Sequence, residues 1–332
     1  MTGKHSDSLK NSSFPLDHGP SATIETLRLR ASMTKRIRTF FDSLDFLEVD
    51  TPVLSREVLP ETTIDPLAVP LPSLNESRYL QASPEALMKR LLAAGSGPIY
   101  QFAHAFRLGE RGMLHDIEFT MLEWYAPGWT LDRAAEVLDT LCQMTIGSSG
   151  VERISCRNAF LTHAGIDPFL ASVEDFCRVA AHLQIQIPKS LEQSIGNWFE
   201  IFLSEVVGPR LGHVRPVILE AWPVCHAAFA ALSSDSPPTA QRFELFIHGI
   251  EVANGWQELV DPEHLLERIH EANQARVQDR RDSLPIPHRL IEAHRFGMPQ
   301  ALGVAIGFDR LVMLATHNAS IDDTRSFSSE RA

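Results

Sequence analysis

The chain has 332 residues, 44% hydrophobic and 22% charged, enough for one large core or two smaller ones. No apolar run reaches the roughly 18 residues of a membrane span, and a net charge of −12 argues against a broad nucleic-acid-binding surface. Cys142, Cys156, Cys177 and Cys225 have neither zinc spacing nor a compact disulfide pattern, and read as reduced thiols of a cytoplasmic protein.

Residues 1–25 are polar, lack the apolar segment of a secretory signal, and predict a disordered tail. From Thr26 to about Phe46 the positions Leu27, Leu29, Ile37, Phe40, Phe41 and Leu44 fit an amphipathic helix laced with Arg and Lys. Its Arg-rich apolar stripe predicts a helix that packs across a two-fold axis. Phe46 to Leu54 follows as a short strand interrupted by Pro52. Ser83-Pro84-Glu85 opens a helix: Ser83 suits the cap, Pro84 the first position, Glu85 the positive end of the dipole, and Gly95 the stop.

Phe106 to Tyr125 reads as strand, loop, strand. Alternation puts Phe119, Met121 and Glu123 on one face, with Tyr125 after them. Arg107, Phe119 and Glu123 together could hold a phosphate, stack on a base and bind an ammonium. Residues 131–215 predict a mostly helical insertion whose motifs assign no chemistry.

The segment from Arg242 to Leu259 is the most informative. Phe243, Leu245, Phe246, Ile247, Ile250 and Val252 are strand formers, and His248-Gly249 falls where a tight hairpin turn belongs. That turn puts Phe246 opposite Glu251 and makes Glu244 the diagonal neighbour of Glu251 on one face. Two carboxylates that close repel each other unless a cation joins them, most naturally Mg²⁺ carried with a nucleotide. A helix from about Asp261 to Arg281 follows, and the chain closes on Ala305-Ile-Gly307-Phe-Asp309-Arg310 leading into another helix. Gly307 permits close backbone approach. Arg310, in a first helical turn, is badly placed for the dipole, which favours a ligand role.

These segments carry a resemblance. Residues 106–125, FRLGE…EFTMLEWY, resemble motif 2 of the class II aminoacyl-tRNA synthetases; GVAIGFDRLVML, residues 303–314, resembles motif 3; Arg28 to Pro52 resembles motif 1. The Ser83-Pro84-Glu85 triplet and GIEVANGWQEL, residues 249–259, narrow the match to the lysyl-tRNA synthetase branch. That branch carries an N-terminal OB-fold of about a hundred residues, where this chain has 25 polar ones. A catalytic core of this kind is similar to the elongation factor P–(R)-β-lysine ligases, which have Ala at the position filled here by Ala305 where lysyl-tRNA synthetases have Gly.

The resemblance implies an α+β fold, an antiparallel sheet of about six strands flanked by helices, in a homodimer. It also implies ATP with Mg²⁺, β-lysine as the small substrate and elongation factor P as the acceptor, with tRNA disfavoured. Arg107 would take the α-phosphate, with Glu110, His115 and Asp116 near the adenine and Phe119 and Arg310 on either side of its ring. Val252 and Gly307 would complete the ATP site, and Glu244 and Glu251 would hold Mg²⁺. Ser83, Glu85 and Glu123 would face the amino group near the carboxylate. Tyr125, Asn254 and Glu258 would receive the distal ammonium, over a floor containing Ala305. Asp116 departs from the family's Asn and puts a fixed negative charge near the nucleotide. Two other readings compete with the ligase: an enzyme that charges tRNA, and an inactive paralogue that only binds a partner.

Overall fold

The first helix, α1 (Ile24–Ser43), starts at Thr23, whose side chain accepts the Thr26 amide. In the computed structural model, which describes residues 18–185 and 194–332, Met33, Ile37 and Phe41 bury the inner face of α1. Phe41 stacks on Tyr100 at 4.7 Å. The apolar stripe expected at a two-fold axis is therefore used mainly by the protein's own core. What stays outward is a basic helical face and Leu47, 56% exposed.

The strand expected over residues 46–54 is two short ones, β1 (Leu47–Glu48) and β2 (Leu54–Ser55). After β3 (Leu67–Leu71), β4 (Glu76–Leu80) and α2 (Glu85–Ala93) come β5 (Ile99–Phe106) and β6 (Glu118–Pro127). Then follow α3 (Leu131–Ile146), β7 (Glu152–Ser155), α4 (Cys156–Ala164), α5 (Val173–Leu183), α6 (Ile195–Phe202) and β8 (Val217–Trp222). The chain continues through β9 (Ala240–Ile247), β10 (Ile250–Gln257), α7 (Pro262–Gln278), α8 (His288–Gly297), β11 (Ala301–Gly307) and α9 (Phe308–Thr316).

The main sheet has eight strands in the order β1-β5-β6-β11-β10-β9-β8-β7. Its central six, β5 to β8, are mutually antiparallel, while β1 and β7 add parallel at the two edges. The fold is α+β, as expected. One face buries Trp124, Leu245, Val252 and Val304 against α1, α3 and α9, the last through Phe308. The helices α4 to α6 make a second core with Leu219, Trp222 and Phe246. Within 131–215 the described residues are mostly helical, yet α3 belongs to the main core through Val137, Leu138 and Leu141.

Of the tail expected over residues 1–25, positions 1–17 lie outside the described residues. Ser21 and Ala22 instead pair with the carbonyls of Ser326 and Arg325, at 2.8 and 3.0 Å.

Candidate active site

The hairpin turn falls where expected: His248 and Gly249 both take positive φ, 51° and 76°, as a two-residue turn of this hand requires. Phe246 faces Glu251, but a bulge follows, so that Ala253 pairs with Leu245 and Asn254 with Glu244. The bulge turns Val252 and Ala253 together into the core and returns Glu251 and Asn254 to the opposite face. Val252 is 2% exposed. Its side chain is packed in the core.

Across the sheet this register builds two polar rows. One runs Gln101, Glu123, Ala305, Asn254, Glu244. The next runs Tyr125, Gly303, Trp256, Arg242. Five neighbouring strands therefore bring residues far apart in sequence onto one surface. Ala305 stands between Glu123 and Asn254. Gly303 leaves the room that its neighbours fill: a Cβ there would meet Glu258 Oε1 at 2.4 Å and Tyr125 Cε1 at 2.5 Å.

Beside these rows α2 contributes Glu85, and Ser83 just before it. Ser83 Oγ accepts the Glu85 amide at 3.0 Å and donates to Glu123 Oε2 at 2.8 Å. Tyr125 donates to Glu123 Oε1 at 2.5 Å. Burial, then the charge of Glu85, pushes the Glu123 carboxyl up to about 8.

Lys89, which the sequence reading missed, is fully buried and reaches Glu85 Oε1 at 2.5 Å and Glu258 Oε2 at 2.6 Å. Burial alone would lower its pKa, but Glu258 and Glu85 outweigh that and hold it above the ordinary value. Trp256 Nε1 also donates to Glu258 Oε2, at 3.2 Å. Glu258 Oε1 is buried with no partner, so this carboxylate keeps one acceptor free. Burial raises the Glu258 carboxyl to about 7 although Lys89 opposes the shift. The helical spacing of Glu85 and Lys89, four residues apart, was the signal for this pair.

Glu244 and Glu251 share the same face. Glu244 is 5% exposed; burial, then the charge of Glu251, pushes its carboxyl to about 8, while Arg242 opposes the shift. Arg242, also missed, sits two residues before Glu244 on one strand face. It donates to Glu244 Oε1 at 2.6 Å and to Asn254 Oδ1 at 3.2 Å, with its guanidinium 4.1 Å from the Trp222 ring centre. Two carboxylates in one partly dry space fit a divalent cation that takes its remaining ligands from phosphates and water. Among the described residues no group of three or more His, Cys, Asp or Glu has metal-binding geometry.

The Arg107 guanidinium lies 5.0 Å from the Phe119 ring centre and 3.7 Å from Glu110, and its buried Nε has no partner. Arg310 donates to the carbonyls of Leu114 and Glu251, at 3.1 and 2.7 Å, and to His115 Nε2 at 2.7 Å. Burial and the Arg310 charge lower the His115 pKa, keeping the ring neutral as an acceptor. Around Gly307 a Cβ would make only ordinary contacts, the nearest with Arg310 Cδ at 3.5 Å.

Asp116 departs from the expectation of a charge near the nucleotide. It is 1% exposed and turned to the C-terminal segment, where Arg325 Nη1 reaches Oδ2 at 2.5 Å and the Ser329 amide at 3.0 Å; the Ser329 hydroxyl bonds Oδ1. Burial would raise this carboxyl, but the bonds from Ser329 and Ile117 and the charge of Arg325 win and hold its pKa low. The negative charge is neutralised inside the protein, so Asp116→Asn would give up an ion pair.

A family model described as tRNA synthetases class II (D, K and N) matches residues 15–331. The chain is 37% identical over 317 residues to elongation factor P–(R)-β-lysine ligases of Edwardsiella ictaluri and Sodalis glossinidius, covering 94% of this chain and 98% of each relative. The ligase of that name from Yersinia pestis is 37% identical over 312 residues, covering 93% of this chain and 96% of the relative.

Proposed function

Because the chain belongs to the class II tRNA synthetases of the D, K and N type, and within them to the elongation factor P–(R)-β-lysine ligases, we propose that it activates (R)-β-lysine with ATP and transfers it to a lysine side chain of elongation factor P. The observation that carries this reading is the buried carboxylate set. Buried Glu85 and Glu258 pair with one internal ammonium, Lys89, buried Glu123 is held only by the hydroxyls of Ser83 and Tyr125, and Glu258 Oε1 is left unpaired. A substrate with two ammonium groups supplies the missing positive charge, and a neutral side chain would leave Glu258 Oε1 desolvated and unsatisfied.

In the first step the substrate carboxylate attacks the α-phosphorus of ATP, forming the aminoacyl-adenylate and releasing pyrophosphate. Arg107 and Arg310 position the phosphates and neutralise growing charge. Phe119 offers an aromatic face for the base, with Glu110 and the His115–Arg310 pair at its edge. Glu123, Glu85 and Ser83 take the amino group near the carboxylate, while Tyr125, Asn254 and Glu258 take the distal ammonium. Mg²⁺ held by Glu244 and Glu251 would offset phosphate charge when bound. Arg242 keeps Glu244 and Asn254 in register, which ties the ATP end of the site to the amino-acid end. The working unit is a homodimer joined at the outward side of α1 and the β1 edge, a reading supported by the exposed Leu47.

Among the described residues no helix is long and apolar enough to cross a membrane. Offering the wild-type protein ATP and β-lysine, with either elongation factor P or tRNA as acceptor, tests the proposal. Stable modification of the factor is expected, with little charging of tRNA. Robust charging of tRNA and none of the factor would favour a tRNA-charging enzyme.

A further inference from the structure

Transfer requires a free amine, whereas a lysine side chain with a pKa of about 10.4 is almost wholly protonated near neutral pH. None of the residues so far assigned receives that proton. Glu61, which the sequence reading did not single out, has the geometry to do so. It lines a small cavity together with Ser83 and Glu85, next to the amino-group end of the substrate site. The residue as a whole is half-buried, and its carboxyl is withdrawn from solvent. Among the described residues its carboxylate has no hydrogen-bond or ion-pair partner. The other acidic residues around it are committed: Glu85 to Lys89, Glu123 to Ser83 and Tyr125.

The loop that carries Glu61 is held in place. Arg276 of α7 is fully buried and donates to the carbonyls of Glu61 and Ile64, at 2.9 and 2.7 Å, to Asp65 Oδ1 at 2.7 Å and to the Asp282 carbonyl at 2.9 Å. Leu59 anchors the same loop in a cluster with Ala86 of α2. A partnerless carboxylate on a clamped loop, beside the reacting end of the substrate, is a built feature and not a solvated surface group.

We propose that Glu61 accepts the proton of the acceptor's lysine ammonium in the transfer step. One N–H bond breaks and its proton passes to the Glu61 carboxylate. The freed nitrogen pair forms the C–N bond at the adenylate carbonyl. The bond from that carbon to the phosphate oxygen breaks, its electrons leave on AMP, and the second nitrogen proton passes to the departing phosphate or to water.

The charged groups acting on Glu61 suit this role. Loss of solvent raises its carboxyl to about 7; the Arg107 and Arg242 charges oppose the rise, while Glu85 and Glu110 add to it. A base poised near neutral pH combines a useful ionised fraction with enough basicity to take a proton.

This inference rests on the ligase reading, and the test separates the two. The adenylate is formed first, then mixed with elongation factor P or, in parallel, with Nα-acetyl-lysine as a simple acceptor. The single-turnover transfer rate is followed from pH 6 to 10 in wild type and in Glu61→Gln, roughly the span between the carboxylate and amine pKa values. In wild type the rate should climb through about pH 7 and then flatten, because the ionised carboxylate is the active form. Glu61→Gln should transfer on the order of a hundredfold more slowly near neutral pH, a far larger loss than in pyrophosphate exchange. Its rate should keep rising with pH as the amine deprotonates unaided. Equal losses in exchange and transfer, with a raised KM for β-lysine, would make Glu61 a substrate-binding residue and overturn the proposal. An unchanged transfer profile would overturn it as well. A wild type that aminoacylates Nα-acetyl-lysine but never the factor counts against the acceptor assignment alone, and the Nα-acetyl-lysine arm still decides the role of Glu61.

Discussion

Glu258→Gln should raise the KM for β-lysine on the order of a hundredfold while leaving the KM for ATP nearly unchanged. The expected size follows from losing a charge-assisted hydrogen bond, worth up to about 3 kcal/mol. On the proposed reading only the distal ammonium of the substrate would meet Glu258, whose buried Oε1 has no partner within the protein. The neutral side chain also breaks the buried pair with Lys89 at 2.6 Å, so thermal stability should fall too. Dependence of pyrophosphate exchange on each substrate separates the effects, since a purely structural loss moves both KM values together.

The same group sets a pH dependence. Its carboxyl is raised to about 7 in the free protein, and binding an ammonium favours the ionised form. Affinity for β-lysine should therefore weaken as pH drops below about 7, and this limb should vanish in Glu258→Gln.

Changing Glu244 or Glu251 to Gln should each cost about a hundredfold or more in adenylate formation, the scale of one strong electrostatic contact removed. The two variants should differ in kind. Glu251 is the more open of the pair, 3.7 Å from Arg310, so Glu251→Gln should act mainly through the Mg²⁺ concentration needed for half-maximal exchange. Glu244 also anchors Arg242, which holds Asn254, so Glu244→Gln should weaken β-lysine use as well. Exchange that is unchanged in both variants would remove the metal assignment.

The hairpin and the alternation of β6 were legible because local rules govern them: two residues suited to positive φ, and side chains alternating between faces; the antiparallel sheet of about six strands came from the family resemblance. The bulge after Glu251 was not legible. Nothing in the local pattern turns the Val252 side chain into the core until Leu245 is seen to face Ala253. The stripe on α1 was read correctly as apolar, and its buried side packs on the protein's own core, Phe41 on Tyr100, a partner that local periodicity does not reveal. Asp116 looked harmful because Arg325 and Ser329, which neutralise it, lie 209 and 213 residues away. Glu61 and Arg242 escaped for the same reason, since their importance comes from neighbours on other elements. Family resemblance located the motifs, while the register of the strands brings Glu123, Ala305, Asn254 and Glu244 into one row.

The most direct test of the central claim, that this sheet face is a β-lysine site, is pyrophosphate exchange by the wild-type protein with β-lysine and with α-lysine at matched concentrations. Ala305 stands between the two polar groups of the row, Glu123 and Asn254, and one methyl in a tight pocket discriminates by about 1–3 kcal/mol. The expected result is a clear preference for β-lysine that narrows in Ala305→Gly through a gain in α-lysine use. Equal or better activation of α-lysine by the wild type, unaltered in Ala305→Gly, would contradict it.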